Sequence, residues 1–400
     1  MEDGRNALPR PPRRIPAGAG TLTQLEAPRR PNGGTPPPRG PWIFGRILAG
    51  FLVLLVIVGA GAGAGWFVRA RSLKIDTDQV LQSVKPAVVR VLATTCAGSG
   101  EGTGVLIDGG RILTATSVVE QPLGIVVVLP DGRIRRANLL GTSTDGVAVL
   151  QPIGEIDATP LQLAAANPDP KSERALAGYT AAGKQVINPI GSTAEPTSLS
   201  AVMNAEKIGS PIVDRSGRLD GLVVGDTVQT STIVGLDTLR GYAALTPIGL
   251  TVDNADSCTV QSKGPQRGIV PELQVARTQL ASEVQKLFGD YLTLENKRDF
   301  PALQALYSKQ LAKKYTVTKD QTSHQTTYFF APKISEVSSD GEGGAYARMA
   351  FNALFSPTAS GADGRNCNHL DYRYHLIRDG GKLLIDTAVT MSPSVACDSE

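Results

Sequence analysis

Histidine is almost absent from this chain. Among the 400 residues only His324, His369 and His375 carry an imidazole, and none lies between Met1 and Ser323. Imidazole exchanges protons near neutral pH, and it is the usual base that activates a serine nucleophile. The part of the sequence before Ser323 therefore cannot assemble a serine–histidine pair of its own.

Acidic charge is scarce at the N-terminal end. Residues 1–46 hold eight arginines and three acidic residues, a net charge of +5, whereas the whole chain carries +3, so the remainder carries −2. The remainder gives no reason to expect nucleic acid as a partner. Residues 1–41 are rich in proline and glycine and lack apolar periodicity, which predicts a disordered tail. Two roles for the tail stay open, a solvated linker or a segment that binds a partner or acidic lipids.

Residues 47–68 form a run of 22 residues without a charge, and about 20 helical residues cross the hydrocarbon layer of a membrane. Trp42, Trp66 and Phe67 stand near the two ends of this run, where aromatic rings prefer the membrane interface. We predict a single transmembrane helix over residues 42–70. The arginine bias places the tail in the cytoplasm and the bulk of the chain on the extracytoplasmic side of the cell membrane.

The four cysteines all follow this predicted helix. They include no CxxC pair and no cysteine–histidine spacing typical of zinc, and the sequence indicates neither a metal nor a cofactor. An even number of cysteines in an oxidising compartment predicts two disulfides. Three pairings are open. We favour one bridge within each predicted domain, which gives Cys96–Cys258 and Cys367–Cys397.

Residues 75–253 contain many short apolar runs separated by glycine, proline and aspartate. The runs are rich in β-branched residues and show no long helical period, which predicts an all-β sandwich or barrel. Examples are residues 87–94, 124–129, 134–140, 146–150, 210–214 and 219–225.

Five motifs in this region occur in the order and near the spacing found in trypsin-like serine proteases. They are VKPAVVRV, GTGVLIDGGRILTATSVVE, TDGVAVLQ, GSPIVDRSGRLDGLVVGD and GYAALTPI. Residues 75–253 thus resemble the bacterial HtrA-type branch of that family. The resemblance implies an all-β double barrel, with two six-stranded barrels and an active site between them.

The resemblance also locates the catalytic positions, and most of them hold the wrong residue. The family motif T-A-x-H-V-V has its histidine at Ser117, and the aspartate of D-x-A-V-L matches Asp145. In G-[ND]-S-G-[GS]-P, the nucleophile position is Ile208, and the first glycine, which contributes to the oxyanion hole, is Glu206. Of the triad, only the aspartate is retained.

Such exchanges remove the chemistry of a serine protease. The Ser117 hydroxyl has no useful basicity at neutral pH, and Ile208 has no nucleophilic atom. We therefore expect no catalytic residues, and we interpret Asp145 as a carboxylate that hydrogen-bonds within its loop. A substitute dyad of Ser117 or Ser210 with Lys207 stays open, although it would require a lysine with a lowered pKa.

Residues 254–270 are polar and contain glycine and proline, which predicts a linker. A helix is predicted to begin at Pro271, and a second helix covers residues 300–311. Strands are predicted at residues 325–330, 333–337, 345–354, 369–378 and 382–389. This order predicts an α+β domain over residues 271–400. The segments YLTLENKRDFPALQALYS and GGKLLIDTAV resemble the cone-shaped family of nuclear transport factor 2 and the SnoaL-like cyclases, whose members bind small ligands or serve as interaction modules.

His369 and His375 fall on the same face of one predicted strand, together with Asp371, whereas Tyr372 and Tyr374 face the opposite way. The two histidines are about 20 Å apart at ~3.3 Å per residue, too far to share a metal ion. A polar cluster that lines the cone and a solvated sheet face are the two alternatives.

The sequence as a whole favours a membrane-anchored, non-catalytic relative of trypsin-like proteases that binds a protein or peptide at the cell envelope. A rigid spacer is an equal alternative for the barrel domain. An envelope serine peptidase of unorthodox mechanism is a second reading of the chain. Ligand binding or catalysis in the C-terminal domain is a third.

Overall fold

The structure is a computed structural model. It describes residues 73–96, 98–195, 197–244, 250–251, 268–359, 361–362 and 364–399, which all belong to one compact unit. Within these ranges no helix is both long and apolar enough to cross a membrane. The predicted tail and transmembrane helix, Cys258 and nearly all of the predicted linker lie outside the described residues.

The first part of the described chain is a closed β-barrel. Helix α1 precedes it, with its first turn capped by the Asp76 side chain, which accepts from the Gln79 N–H. The six strands follow the order β1-β2-β3-β6-β5-β4 around the barrel, which confirms the predicted barrel. The bounds are α1 Thr77–Val84, β1 Val88–Thr95, β2 Ser99–Ile107, β3 Arg111–Ala115, β4 Pro122–Val128, β5 Ile134–Thr142 and β6 Val147–Pro152.

A second sheet packs against this barrel. In the described part of the chain it contains five strands in the order β11-β10-β9-β7-β8, not the six of a second closed barrel. One apolar core joins the two halves and includes Leu113 of the barrel and Leu222 of the sheet. The bounds are β7 Arg174–Tyr179, β8 Gln185–Gly191, β9 Pro211–Val213, β10 Leu219–Val224, β11 Thr232–Gly235 and α2 Leu236–Ala243.

The C-terminal part combines four helices with a mostly antiparallel sheet, in which β12 pairs in parallel with β13. The sheet order is β12-β13-β14-β15-β16, and β17 pairs with β15. The helices are α3 Gln279–Lys297, α4 Phe300–Leu303, α5 Lys309–Lys314 and α6 Val317–His324. The strands are β12 Glu272–Leu273, β13 Tyr328–Ser339, β14 Ala345–Leu354, β15 Cys367–Asp379, β16 Lys382–Thr390 and β17 Val395–Ala396.

Two sequence-based expectations for this part have clear outcomes. The helix predicted to begin at Pro271 instead begins at Gln279, because the Thr278 side chain caps it by accepting from the Ala281 N–H. The predicted bridge Cys367–Cys397 is confirmed. Cys96 is also disulfide-bonded, while Cys258, its predicted partner, lies outside the described residues.

The C-terminal part packs directly on the outside of the first barrel. The Thr94 hydroxyl donates to the Thr326 carbonyl at 2.6 Å, and the Arg136 guanidinium donates to the Asp398 carboxylate at 2.8 Å. The barrel and the C-terminal part also share a small apolar cluster. Its buried members are Leu92, Val126, Ile134, Tyr328, Phe330, Leu354 and Cys367.

Candidate functional site

Ser117, at the position of the catalytic histidine, lies in a short 3₁₀ helix directly after β3. The neighbouring Thr116 N–H donates to the Gly146 carbonyl at 2.8 Å, which holds this helix against the Asp145 turn. The Ser117 hydroxyl donates to the Gly225 carbonyl at 2.7 Å. Its proton is therefore used in a bond between the barrel and the loop that follows β10.

Asp145 is exposed and accepts a hydrogen bond from the Tyr242 hydroxyl of α2 at 2.5 Å. Burial and this bond to Asp145 raise the pKa of Tyr242, so the phenol stays protonated and keeps donating. The carboxylate is thus held by α2, a partner outside the loop to which the sequence assigned it.

Ile208, at the position of the nucleophile, belongs to the apolar core with only 6% of its surface exposed. Its carbonyl accepts from the Thr103 N–H at 2.8 Å. This approach requires glycine at position 102, because a Cβ there would lie 2.5 Å from the Ile208 carbonyl oxygen. The residue that the sequence motif assigns to the nucleophile position therefore contributes hydrocarbon to the core.

The loop before Ile208 determines whether the Ile208 N–H is available as a hydrogen-bond donor to a ligand. Ala205–Lys207 forms a 3₁₀ turn, in which the Ile208 N–H donates to the Ala205 carbonyl at 3.1 Å. The buried Glu206 accepts from the Thr103 hydroxyl through its backbone carbonyl at 2.6 Å. The Ile208 N–H must break its bond in the turn before it can stabilise an oxyanion.

Lys207 and Ser210 were the candidates for a substitute dyad. The Lys207 ammonium donates to the Asn188 side chain at 2.8 Å and to the Val202 carbonyl at 2.5 Å. Burial lowers the pKa of Lys207, while neighbouring Glu206 raises it. Ser210 is buried, and its hydroxyl has no hydrogen-bond partner among the described residues. No hydrogen bond in the described part of the chain joins Lys207 to either serine.

Residues 102–222 match the family model of the trypsin-like peptidase domain. The fold is trypsin-like. Similar solved structures include the active form of the Rv3671c protease from M. tuberculosis, at 22% identity over 45% of this chain and 88% of that one, with a TM-score of 0.36. Another is the serine endoprotease from Yersinia pestis, at 23% identity over 42% and 64% of the two chains, with a TM-score of 0.36.

A third is the HtrA-type protease AlgW with tripeptide, at 21% identity over 41% of this chain and 62% of that one, with a TM-score of 0.34. A comparison with curated proteins found no match. The match to the family model confirms the trypsin-like fold that the sequence predicts for the first domain.

The C-terminal part contains a cavity of about 470 Å³. That volume is within the range of ~300–1,000 Å³ usual for small-molecule sites. Asp320 and His324, one turn apart on α6, contribute polar groups to its wall. Seven of the other fifteen described lining residues are aromatic: Tyr291, Tyr307, Tyr315, Phe329, Phe351, Tyr372 and Tyr374.

Glu295 of α3 lies beside this wall, with its carboxylate 3.6 Å from His324 Nδ1 and its side chain fully buried. Burial raises the pKa of Glu295 to about 8. Burial also raises the pKa of Asp320 and lowers that of His324. Near neutral pH Glu295 is therefore a carboxylic acid and His324 a neutral imidazole. These two neighbouring groups can donate and accept protons.

The sequence did not reveal this cluster. One signal was present, because Asp320 and His324 are four residues apart, the spacing of neighbours on a helix. The segment 312–324 was not predicted as a helix, so the spacing was not used. Glu295 carried no signal, since an acidic residue in a helix is normally exposed.

His369 and Asp371, the polar pair singled out from the sequence, do not line this cavity. Asp371 accepts three hydrogen bonds from the Arg348 guanidinium, at 3.0, 3.2 and 2.5 Å. His369 Nδ1 lies 3.0 Å from the Asn352 side-chain oxygen. Tyr372 lines the cavity from the same strand, as expected because successive residues of a strand face opposite sides.

Proposed function

We propose that this chain is a membrane-anchored, extracytoplasmic pseudoprotease, which uses a trypsin-like fold to bind a protein or peptide partner at the cell envelope without cutting it. The main observation in support of lost catalysis is the environment of Ile208. Its side chain is buried in the core and its N–H is bonded within a 3₁₀ turn. Ser117 and Asp145 support the same conclusion, because each is engaged in a bond to another element.

The test of lost catalysis is covalent labelling with a fluorophosphonate probe, which reacts with activated serines. Trypsin in parallel provides the positive control. We expect no labelling of this protein, and no cleavage when it is incubated with a mixed peptide pool that is then analysed by mass spectrometry. Labelling that Ser117→Ala or Ser210→Ala abolishes would refute the proposal and favour the alternative, an envelope serine peptidase of unorthodox arrangement.

Anchoring rests on the uncharged run at 47–68 and on the disulfide in the C-terminal part. We expect the chain to stay in the membrane fraction after alkaline carbonate washing, and a deletion of residues 42–70 to release it. A phosphatase reporter that works only outside the cytoplasm should be active when fused after residue 400 and inactive after residue 41. The reverse pattern would contradict this topology.

A second candidate function, small-molecule binding in the C-terminal part, is favoured by the cavity beside Asp320 and His324. The aromatic wall suits an uncharged ring system, and the Asp320–His324 edge suits a hydroxyl or carbonyl substituent. General acid–base catalysis by His324 would be the reaction type consistent with this site.

The cavity can be tested with N-phenyl-1-naphthylamine, an uncharged dye that fluoresces in apolar sites, and a fragment of residues 73–400. Ala388 is exposed at the cavity mouth, and Val389, 61% exposed, is its neighbour on the other face of β16. We expect saturable binding that Ala388→Trp weakens about tenfold or more, while Val389→Trp has no effect. Equal effects of the two variants, or no saturable binding, would exclude a site in this cavity.

A further inference from the structure

A groove of about 780 Å³ runs along the junction between the trypsin-like part and the C-terminal part. One wall comes from the end of α1 and from the turns after β4 and β7. The other wall comes from β13, β14, β15 and β17. Crevices between domains are common places for ligands to bind. This groove is distinct from the positions of Ser117, Asp145 and Ile208, none of which lines it.

The two parts are joined beside the groove by packed side chains. Tyr328 and Phe330 are buried against the barrel in the apolar cluster described above. The Tyr328 hydroxyl also donates to the Glu101 carboxylate at 3.2 Å, and the opposite oxygen of Glu101 accepts from Arg90 at 2.6 Å. An occupant would therefore meet a preformed surface and would not have to organise it.

The charge along this groove has one sign. Among the described residues that line it, the charged ones are Lys85, Arg90, Lys184 and Lys333, and none is an aspartate or a glutamate. Arg90 and Lys333 are each paired with a carboxylate, the largely buried Glu101 at 2.6 Å and the exposed Glu272 at 3.9 Å.

Lys85 and Lys184 differ from these two cations. Among the described residues, neither lysine has a carboxylate within 4.0 Å. Both are exposed. Lys85 follows α1 and Lys184 lies in the turn between β7 and β8, so their charges face the groove from different elements.

The backbone of β13 has an unusual conformation at this wall. Ala331 has a φ of +50°, which is rare for a residue with a Cβ and costs on the order of 1–3 kcal/mol. The pairing of β13 with β14 shifts register between Phe330 and Lys333. The bulge places Phe330, Ala331 and Lys333 together in the lining. Bulges of this kind often re-aim side chains beside binding sites.

We propose that this groove binds an acidic segment of the partner protein in an extended conformation. This inference rests on the proposed function, since it names the site and the chemistry of the partner. An extended peptide fits better than a single compact anion, because the cations come from separate elements along the groove instead of converging on one point. Carboxylates spaced along the peptide would complement Lys85 and Lys184, and the apolar residues of the lining would pack against the stems of the peptide side chains.

The experiment uses the full-length chain in a non-ionic detergent and a rhodamine-labelled peptide of alternating glutamate and alanine, with binding followed by fluorescence anisotropy. The same peptide with lysine in place of glutamate is the probe control. Lys85→Glu and Lys184→Glu reverse a charge in the groove. Lys171→Glu makes the same change of net charge on an exposed turn outside it.

We expect saturable binding of the acidic peptide and none of the basic one. Each groove variant should weaken binding about five- to tenfold, and Lys171→Glu should change it less than about twofold. Absence of saturable binding, or equal weakening by all three variants, would overturn the proposal. So would competition by mixed-sequence DNA as effective as that of unlabelled peptide, which would indicate general attraction of polyanions. None of these results bears on the labelling test of lost catalysis, so the two proposals can fail separately.

Discussion

The buried carboxyl group of Glu295 makes a quantitative prediction about stability. It lies on α3 with a fully buried side chain, and burial raises its pKa from 4.5 to about 8. The folded protein therefore holds a proton at this position over a pH range in which the unfolded chain has released it. We predict that the protein loses stability as the pH rises from 5 to 8, and that Glu295→Gln removes most of this loss.

The sign and size follow from proton linkage. Because the folded pKa is the higher one, the stabilising effect of the bound proton is complete below pH 4.5 and disappears as the pH rises through 8. Each unit of difference between the folded and the unfolded pKa changes the free energy of unfolding by about 1.4 kcal/mol. Between pH 5 and pH 8 the wild type should lose about 3 kcal/mol of unfolding free energy through this group. Glutamine has nearly the same shape and does not titrate, so the variant should lack this contribution.

The neighbours of Glu295 titrate as well, and their effects must be separated. The raised pKa of Asp320 gives a loss of the same sign, whereas the lowered pKa of His324 gives a gain as the pH rises through its titration. The pKa of Arg298, about 10, leaves that residue charged throughout. The buried hydroxyl of Tyr291 stays protonated, because burial raises its pKa. The difference between wild type and Glu295→Gln therefore isolates Glu295 to first order.

The assay is urea denaturation followed by circular dichroism at pH 5 and pH 8. Glu283→Gln is the matched control, because Glu283 lies on the same helix, is partly exposed and has a pKa lowered by its bond to Arg378. We expect this control to keep the wild-type pH dependence. If Glu295→Gln shows the same loss between the two pH values as the wild type, the carboxyl is not protonated in the folded state and the reasoning is wrong.

Three further predictions concern stability and use the same denaturation assay. Gly209→Ala should cost about 2 kcal/mol or more, because position 209 has a φ of +83° and a Cβ there would overlap a carbonyl of β2. Asn296→Ala should cost about 3 kcal/mol, because this buried amide bonds both the N–H of Phe329 at 2.7 Å and its carbonyl at 2.8 Å. Replacing Cys367 and Cys397 together by alanine should cost about 3 kcal/mol, the usual value for a bridge of this loop length.

Local sequence patterns predicted the strands well. The strand predicted at residues 345–354 is β14, and the one predicted at 382–389 is β16 but for one residue. The first segment is rich in alanine and aromatic residues and the second in β-branched residues, and each is preceded by glycine, so the signal is local. The trypsin-like fold could also be predicted from the sequence, because each of its motifs is a continuous stretch of residues.

Other features depend on contacts that no local pattern contains. The start of α3 at Gln279 follows from a cap by Thr278, and the acidic residue near Pro271 gave a competing signal eight residues earlier. The two strands predicted on either side of Ala331 are one strand, β13, with a bulge. The Glu295–His324 pair needs α3 and α6 to meet, and the groove needs two domains to dock. Both are properties of packing between distant segments.

The loops that contain Val118 and Ile208 are held in place by close contacts with β2. Gly100 and Gly102 are two residues apart and point to the same face of the strand. A Cβ at the first would overlap the Val118 backbone, and a Cβ at the second would lie 2.5 Å from the Ile208 carbonyl oxygen. Both approaches are main-chain contacts, and the buried Val118 and Ile208 side chains add their apolar surface to the core. The loops are therefore held by glycine spacing and hydrocarbon packing, neither of which requires a histidine or a serine at the reactive positions, so the scaffold can remain stable while its chemistry changes.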